Sequence, residues 1–97
     1  MNKFIITQDG TMKFGDVLYH KDLIPGNEMT CCGGGFWTID NQRGIIILYG
    51  QSYDFGKPDF SRLRAIDKST LPANLGYPIF YKNTINGDEI LEPVSVI

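Results

Sequence analysis

The run Ile45-Ile46-Ile47-Leu48-Tyr49, bounded by Gly44 and Gly50, constrains this chain more than any other feature. Consecutive bulky residues, mostly β-branched, favour extended backbone, and a strand with no polar face must be covered on both sides. The fold therefore has to place this run in the interior of a sheet. Phe36-Trp37-Thr38-Ile39 reads as its partner strand, and Asp40-Asn41-Gln42-Arg43-Gly44 as the connecting turn, so the region predicts a hairpin. At 97 residues the chain has room for one such core and not for two, which predicts a single domain over residues 1–97.

The remaining elements arrange themselves around that hairpin. Asp9-Gly10 separates Phe4-Ile5-Ile6-Thr7 from Thr11-Met12-Lys13-Phe14 and predicts a second hairpin. VLYHKDLI, residues 17–24, leaves space for at most a turn or two of helix before Pro25-Gly26-Asn27 ends it. Pro58-Asp59 is a good helix start; Phe60, Leu63 and Ile66 share one face while Arg62, Arg64 and Lys68 stay outside, predicting a short amphipathic helix that ends near Lys68. Ser69 to Gly76 is loop by composition, Pro78-Ile79-Phe80-Tyr81 a strand, and Asn86-Gly87 a turn before Ile90-Leu91, with the tail from Pro93 to Ile97 as a further edge strand. The expected class is α/β (α+β): a mixed sheet of about five or six strands packed by one or two short helices.

Charge and cysteine usage exclude several classes of function. Nine Lys and Arg against eleven Asp and Glu give a net charge of -2, which supplies no footprint for nucleic acid or an anionic membrane. The opening MNKFIITQDG is too short an apolar run for a signal peptide, and no segment approaches the length of a membrane span, so the expected location is cytoplasmic. Cys31 and Cys32 are adjacent and the chain has one histidine, a set that matches neither a zinc site nor a Cys-x-x-Cys redox pair. Both cysteines read as passengers, and no metal is expected. Asp88, Glu89 and Glu92 read as a solvated strand edge, and Arg62, Arg64 and Lys68 as a basic face too small for duplex binding.

Two features remain that carry chemistry. His20 is the one side chain whose ordinary pKa lies near neutrality, so proton transfer at pH 7 falls most naturally to it. The glycine-bounded loop YGQSYDFG, residues 49–56, leaves the end of the buried strand, where ligands bind in layered folds; its successive amides can form a nest for an oxyanion, with Ser52 adding a hydroxyl.

Taken in order, Lys3-Phe4-Ile5-Ile6, Tyr19-His20, Cys31-Cys32-Gly33-Gly34-Gly35 and Tyr49-Gly50-Gln51-Ser52-Tyr53-Asp54-Phe55-Gly56 resemble the Janus/ocnus family of small protein-histidine phosphatases, best over residues 31–60. The resemblance implies a cofactor-free site that hydrolyses phosphohistidine or a related phosphoramidate, on a phosphorylated protein or as a small molecule. It implies His20 as the central catalytic residue, described as a general base for water or, in a competing description, as the attacking group. Lys3, Ser52 and the backbone of Ser52, Tyr53 and Asp54 inherit the phosphate-holding roles, with Gly35 of the glycine triplet as a further expected substrate-binding position. A lysine, a hydroxyl and aimed amides suit phosphoryl transfer, where the protein mainly positions groups and offsets charge.

Three departures from the family carry the alternative, a non-catalytic relative binding a small anion, peptide or protein through the same pocket. Phe36 stands where the family has a basic residue, Asp54 where it has a small neutral one, and Pro25-Gly26 shortens the helix after the motif histidine.

Overall fold

The structure is a computed structural model and describes residues 1–24, 31–71 and 76–96. Local side-chain chemistry fixes the turns. In the first, the Asp9 carboxylate accepts the Thr7 hydroxyl and, at 3.1 Å, the Thr11 N–H. That turn joins β1 (Asn2–Thr7) to β2 (Thr11–Asp16), antiparallel with Phe4 opposite Phe14. In the second, Asp40 accepts the Gln42 and Arg43 amides at 3.0 and 3.1 Å and pairs with Arg43 Nε at 2.7 Å. It joins β3 (Cys31–Asp40) to β4 (Ile45–Tyr49).

Among the described residues one sheet of seven strands runs β5-β2-β1-β3-β4-β6-β7, completed by β5 (Ala65–Ile66), β6 (Ile79–Ile85) and β7 (Asp88–Pro93). β5 lies parallel to β2 and β6 parallel to β4; the other pairings are antiparallel. β4 is interior, as its apolar run requires: Ile46 and Leu48 point into the core cluster, and Ile45 and Ile47, alternate along the strand, are buried on the opposite face. The main core is the period-2 set Phe4, Ile6, Met12, Phe14, Trp37, Ile46, Leu48, Ile79 and Tyr81. Leu63 closes it, with Phe60, Ile66 and Leu71 packed alongside. The radius of gyration, 12.7 Å, matches the value of about 12.5 Å expected for one compact body of this length.

The class expectation needs correction: the domain is mostly β, and helix is confined to single 3-10 turns among the described residues. The segment expected as an amphipathic helix from Pro58 to Lys68 holds a 3-10 turn at Phe60–Arg62, strand β5, and a second 3-10 turn at Lys68–Thr70. Its inward and outward faces are nevertheless those the pattern assigned, with Leu63 fully buried and Arg62, Arg64 and Lys68 exposed. The physical reason lies in two Asp-x-Ser repeats. Asp59 accepts the Ser61 N–H at 3.1 Å and Asp67 the Ser69 N–H at 3.2 Å, and such side-chain bonds to nearby backbone compete with a continuous helix.

The turn or two of helix expected after Val17 is one 3-10 turn, His20–Leu23, steadied where the Tyr19 N–H donates to Asp22 at 3.1 Å. The tail expectation is also corrected: β7 ends at Pro93, and residues 94–96 continue as coil, tied back where the Val94 N–H donates to Ile79 O at 2.9 Å. Pro25-Gly26-Asn27, part of the 69–76 loop, Ile97 and the side chains of Cys31 and Cys32 lie outside the described residues. No described helix is long and apolar enough to cross a membrane.

Candidate functional site

The site is built on bare backbone in β3. Register sets Phe4 opposite Gly35 and Ile5 opposite Gly34. A Cβ on Gly34 would lie 2.3 Å from Phe4 O and 3.2 Å from His20 Cδ2; one on Gly33 would lie 2.1 Å from Lys57 O, and the Gly33 φ of +100° is itself one that side-chain-bearing residues rarely adopt. The glycines therefore let β1, the His20 ring and the segment after the 49–56 loop all close on the same stretch of strand.

The loop is clipped to that stretch. The Ser52 N–H donates to Gly34 O at 2.8 Å and to Gly56 O at 3.1 Å, the Gly34 N–H donates to Gly56 O at 3.2 Å, and the Gly56 N–H returns to Ser52 O at 2.9 Å. Ser52 Oγ accepts the Phe55 N–H at 3.1 Å, and the residue is 1% exposed. The structure thus sets Ser52 beneath the loop, where its amide and hydroxyl hold the loop's shape. The Tyr53 and Asp54 amides, by contrast, make no hydrogen bond within the described residues. Tyr81 secures the entry to the loop, its hydroxyl donating to Gly50 O at 2.7 Å.

His20 sits against the same backbone, 4% exposed. Its Nε2 is 2.8 Å from Gly35 O, and because a carbonyl only accepts, the neutral ring carries its proton on Nε2 and keeps its lone pair on Nδ1. Burial lowers the His20 pKa below its ordinary value; the Gly35 bond opposes that shift, the nearby Lys3 charge adds to it, and the Asp54 charge opposes it. The ring is consequently neutral at pH 7.

Lys3, Phe36, Tyr49 and Lys82 stand in register across β1, β3, β4 and β6, forming one row on this face of the sheet. The Phe36 and Tyr49 rings stack with centroids 5.7 Å apart, and the Lys3 and Lys82 ammonium groups lie over them at 5.8 and 5.4 Å. His20 meets Phe36 edge-on at 5.5 Å. Lys3 Nζ also donates to Leu18 O at 2.5 Å, which ties the first strand to the backbone just before Tyr19-His20.

Lys3, Phe36 and His20 open onto a cleft of about 630 Å³. The sheet contributes Lys3 and Phe36, the segment entering the 3-10 turn contributes Leu18, Tyr19 and His20, and the loop contributes Gln51, Tyr53 and Asp54. Of the residues singled out from sequence, Lys3, His20, Tyr53 and Asp54 line it directly, Gly35 supports the imidazole, and Ser52 lies behind the wall. Sequence reasoning gave no role to Leu18, Tyr19 or Gln51; the last two sit inside motifs it had already singled out, and that adjacency was the signal available. Among the described residues no group of three or more His, Cys, Asp or Glu side chains is placed to hold a metal ion.

Comparison with known proteins agrees on the region. The family model Janus/Ocnus matches residues 14–74, a span holding His20, the glycine triplet and the loop, with Lys3 ahead of it. No curated protein and no solved structure matches the chain.

Proposed function

The chain belongs to the Janus/Ocnus family, and from that premise we propose that its cleft binds a phosphoryl group and hydrolyses phosphohistidine or a related phosphoramidate, with His20 as general base. The observation that carries this reading is the hydrogen bond from His20 Nε2 to Gly35 O, which fixes the tautomer of a buried, neutral imidazole beside a cleft that also holds a lysine. The Lys3 ammonium and the Tyr53 and Asp54 amides receive the phosphoryl oxygens, offsetting charge that spreads over them in the transition state. His20 Nδ1 takes a proton from water as the water oxygen attacks phosphorus. The P–O bond forms as the P–N bond breaks, and the leaving nitrogen keeps the bonding electron pair and takes up a proton.

A second reading, a family member that binds the phosphoryl group without turning it over, is favoured by one observation. Phe36 covers the strand position beside Lys3 with hydrocarbon, so a single cation from the sheet meets the anion.

Phosphate release from a phosphohistidine peptide and from phospholysine, followed by phosphorus NMR, separates the two. Removing a general base costs about 10²- to 10⁴-fold in rate, and His20→Ala should lose that much. His20→Gln, which keeps a donor able to reach Gly35 O, should lose it equally while folding like the parent. Absence of turnover by the parent protein, or turnover unchanged in both variants, would sink the catalytic reading.

A further inference from the structure

Most aspartates of this chain have a local structural task. Asp9, Asp40, Asp59 and Asp67 each accept the backbone N–H two residues on, Asp22 accepts the Tyr19 N–H, and Asp16 pairs with the Met1 amino group. Asp54 has no such task. It is exposed on the cleft, and within the described residues its carboxylate makes no hydrogen bond and no ion pair. Its charge acts on the site itself, favouring the protonated form of His20.

The charges around the cleft make this consequential. Lys3 supplies an ammonium already engaged by Leu18 O, and Asp54 supplies an opposing carboxylate. A phosphoryl dianion by itself is therefore attracted by one group and repelled by the other. A ligand with a cation placed beyond its phosphoryl group turns that repulsion into attraction.

The residue next to Asp54 points to the same chemistry. Tyr53 is 99% exposed on the same cleft, and its ring has no partner among the described residues. Tyr19, also on the cleft, already carries the Lys21 ammonium over its ring at 5.1 Å. A carboxylate flanked by an open aromatic ring is a recurring way to hold an ammonium or guanidinium group.

We propose that Asp54, with Tyr53 beside it, sets the specificity of this cleft by selecting phosphorylated peptides in which a lysine or arginine flanks the phosphorylated residue. The inference rests on the phosphoryl-binding reading of the cleft, and goes beyond it by naming the neighbour that the substrate must carry. Basic flanks are accepted and acidic flanks are turned away.

Equilibrium binding tests this with three peptides that carry a non-hydrolysable phosphohistidine analogue flanked by lysine, alanine or glutamate. The intact chain should bind them in that order, with about a fivefold span between lysine and glutamate flanks, the size expected of an exposed charge pair. The span should shrink at about 0.5 M salt, where exposed charges are screened. Asp54→Asn should bring the three affinities together, mainly by admitting the glutamate-flanked peptide, and Asp54→Lys should reverse the order. Tyr53→Ala should weaken only the lysine-flanked peptide. Equal binding of lysine- and glutamate-flanked peptides by the intact chain, or an unchanged preference in Asp54→Asn, overturns the inference and leaves the phosphoryl reading standing. Failure to bind any of the three overturns both.

Discussion

The imidazole of His20 owes its tautomer to a backbone acceptor, the Gly35 oxygen of β3, against which the ring is packed. Its protonation makes a prediction with a definite sign. Burial holds the His20 pKa below 6.5, so the acidic limb of the kcat/KM profile on a phosphohistidine peptide should fall below that value. Lys3 lowers that pKa and Asp54 raises it, so Lys3→Met should move the limb toward higher pH and Asp54→Asn toward lower pH. Phe36 was legible as a departure from the family pattern, and its surroundings now define what the departure does. The ring stacks on Tyr49, abuts His20 and lies under Lys3, filling with hydrocarbon the strand position opposite Lys3. Phe36→Arg should lower KM for a phosphorylated substrate by roughly two- to fivefold, the worth of one partly exposed charge, and an unchanged KM would contradict the placement of the phosphoryl group.

At the level of elements, the glycine triplet matters through what approaches it. Gly34→Ala would drive a Cβ against Phe4 O and the His20 ring, and overpacking of this kind costs about 1 to 3 kcal/mol. Gly76→Ala, where nothing among the described residues lies within 4 Å, should be close to neutral, and denaturant unfolding of the two variants checks the contrast. Tyr81→Phe should cost about 1 kcal/mol by freeing Gly50 O at the mouth of the loop. The 45–49 strand, the β1–β2 and β3–β4 hairpins and the Asn86-Gly87 turn could be read from residue type, because each is specified by local chemistry. Residues 58–68 could not. Phe60, Leu63 and Ile66 recur every third position, a spacing that fits helical turns of either kind, and the Asp-x-Ser bonds that decide between them compete with helix only by a small margin. The pattern revealed which side chains are buried without revealing the backbone that buries them.

Across the whole molecule, the sequence could indicate a sheet with a fully covered central strand but not its strand order, since the parallel pairings of β5 with β2 and β6 with β4 join segments distant in the chain. Leu63 closes the core from outside the sheet, and Leu63→Ala should cost about 2 to 5 kcal/mol in unfolding free energy. His20 also ties the site to overall stability. The folded chain holds its proton less tightly than the unfolded chain, so the stabilisation is present in full above pH 6.5 and is lost as pH falls through the lowered pKa. Melting temperature should therefore decline on mild acidification, and His20→Gln should flatten that decline. The central claim is that the fold holds this single imidazole neutral, protonated on Nε2, beside a phosphoryl-binding cleft. With one histidine in the chain, a nitrogen NMR titration of the ring reports that claim without ambiguity. The account predicts an Nε2-protonated neutral ring that titrates below 6.5 and whose pKa rises when inorganic phosphate is added. A proton on Nδ1, or a titration at the ordinary value that ignores phosphate, would contradict it.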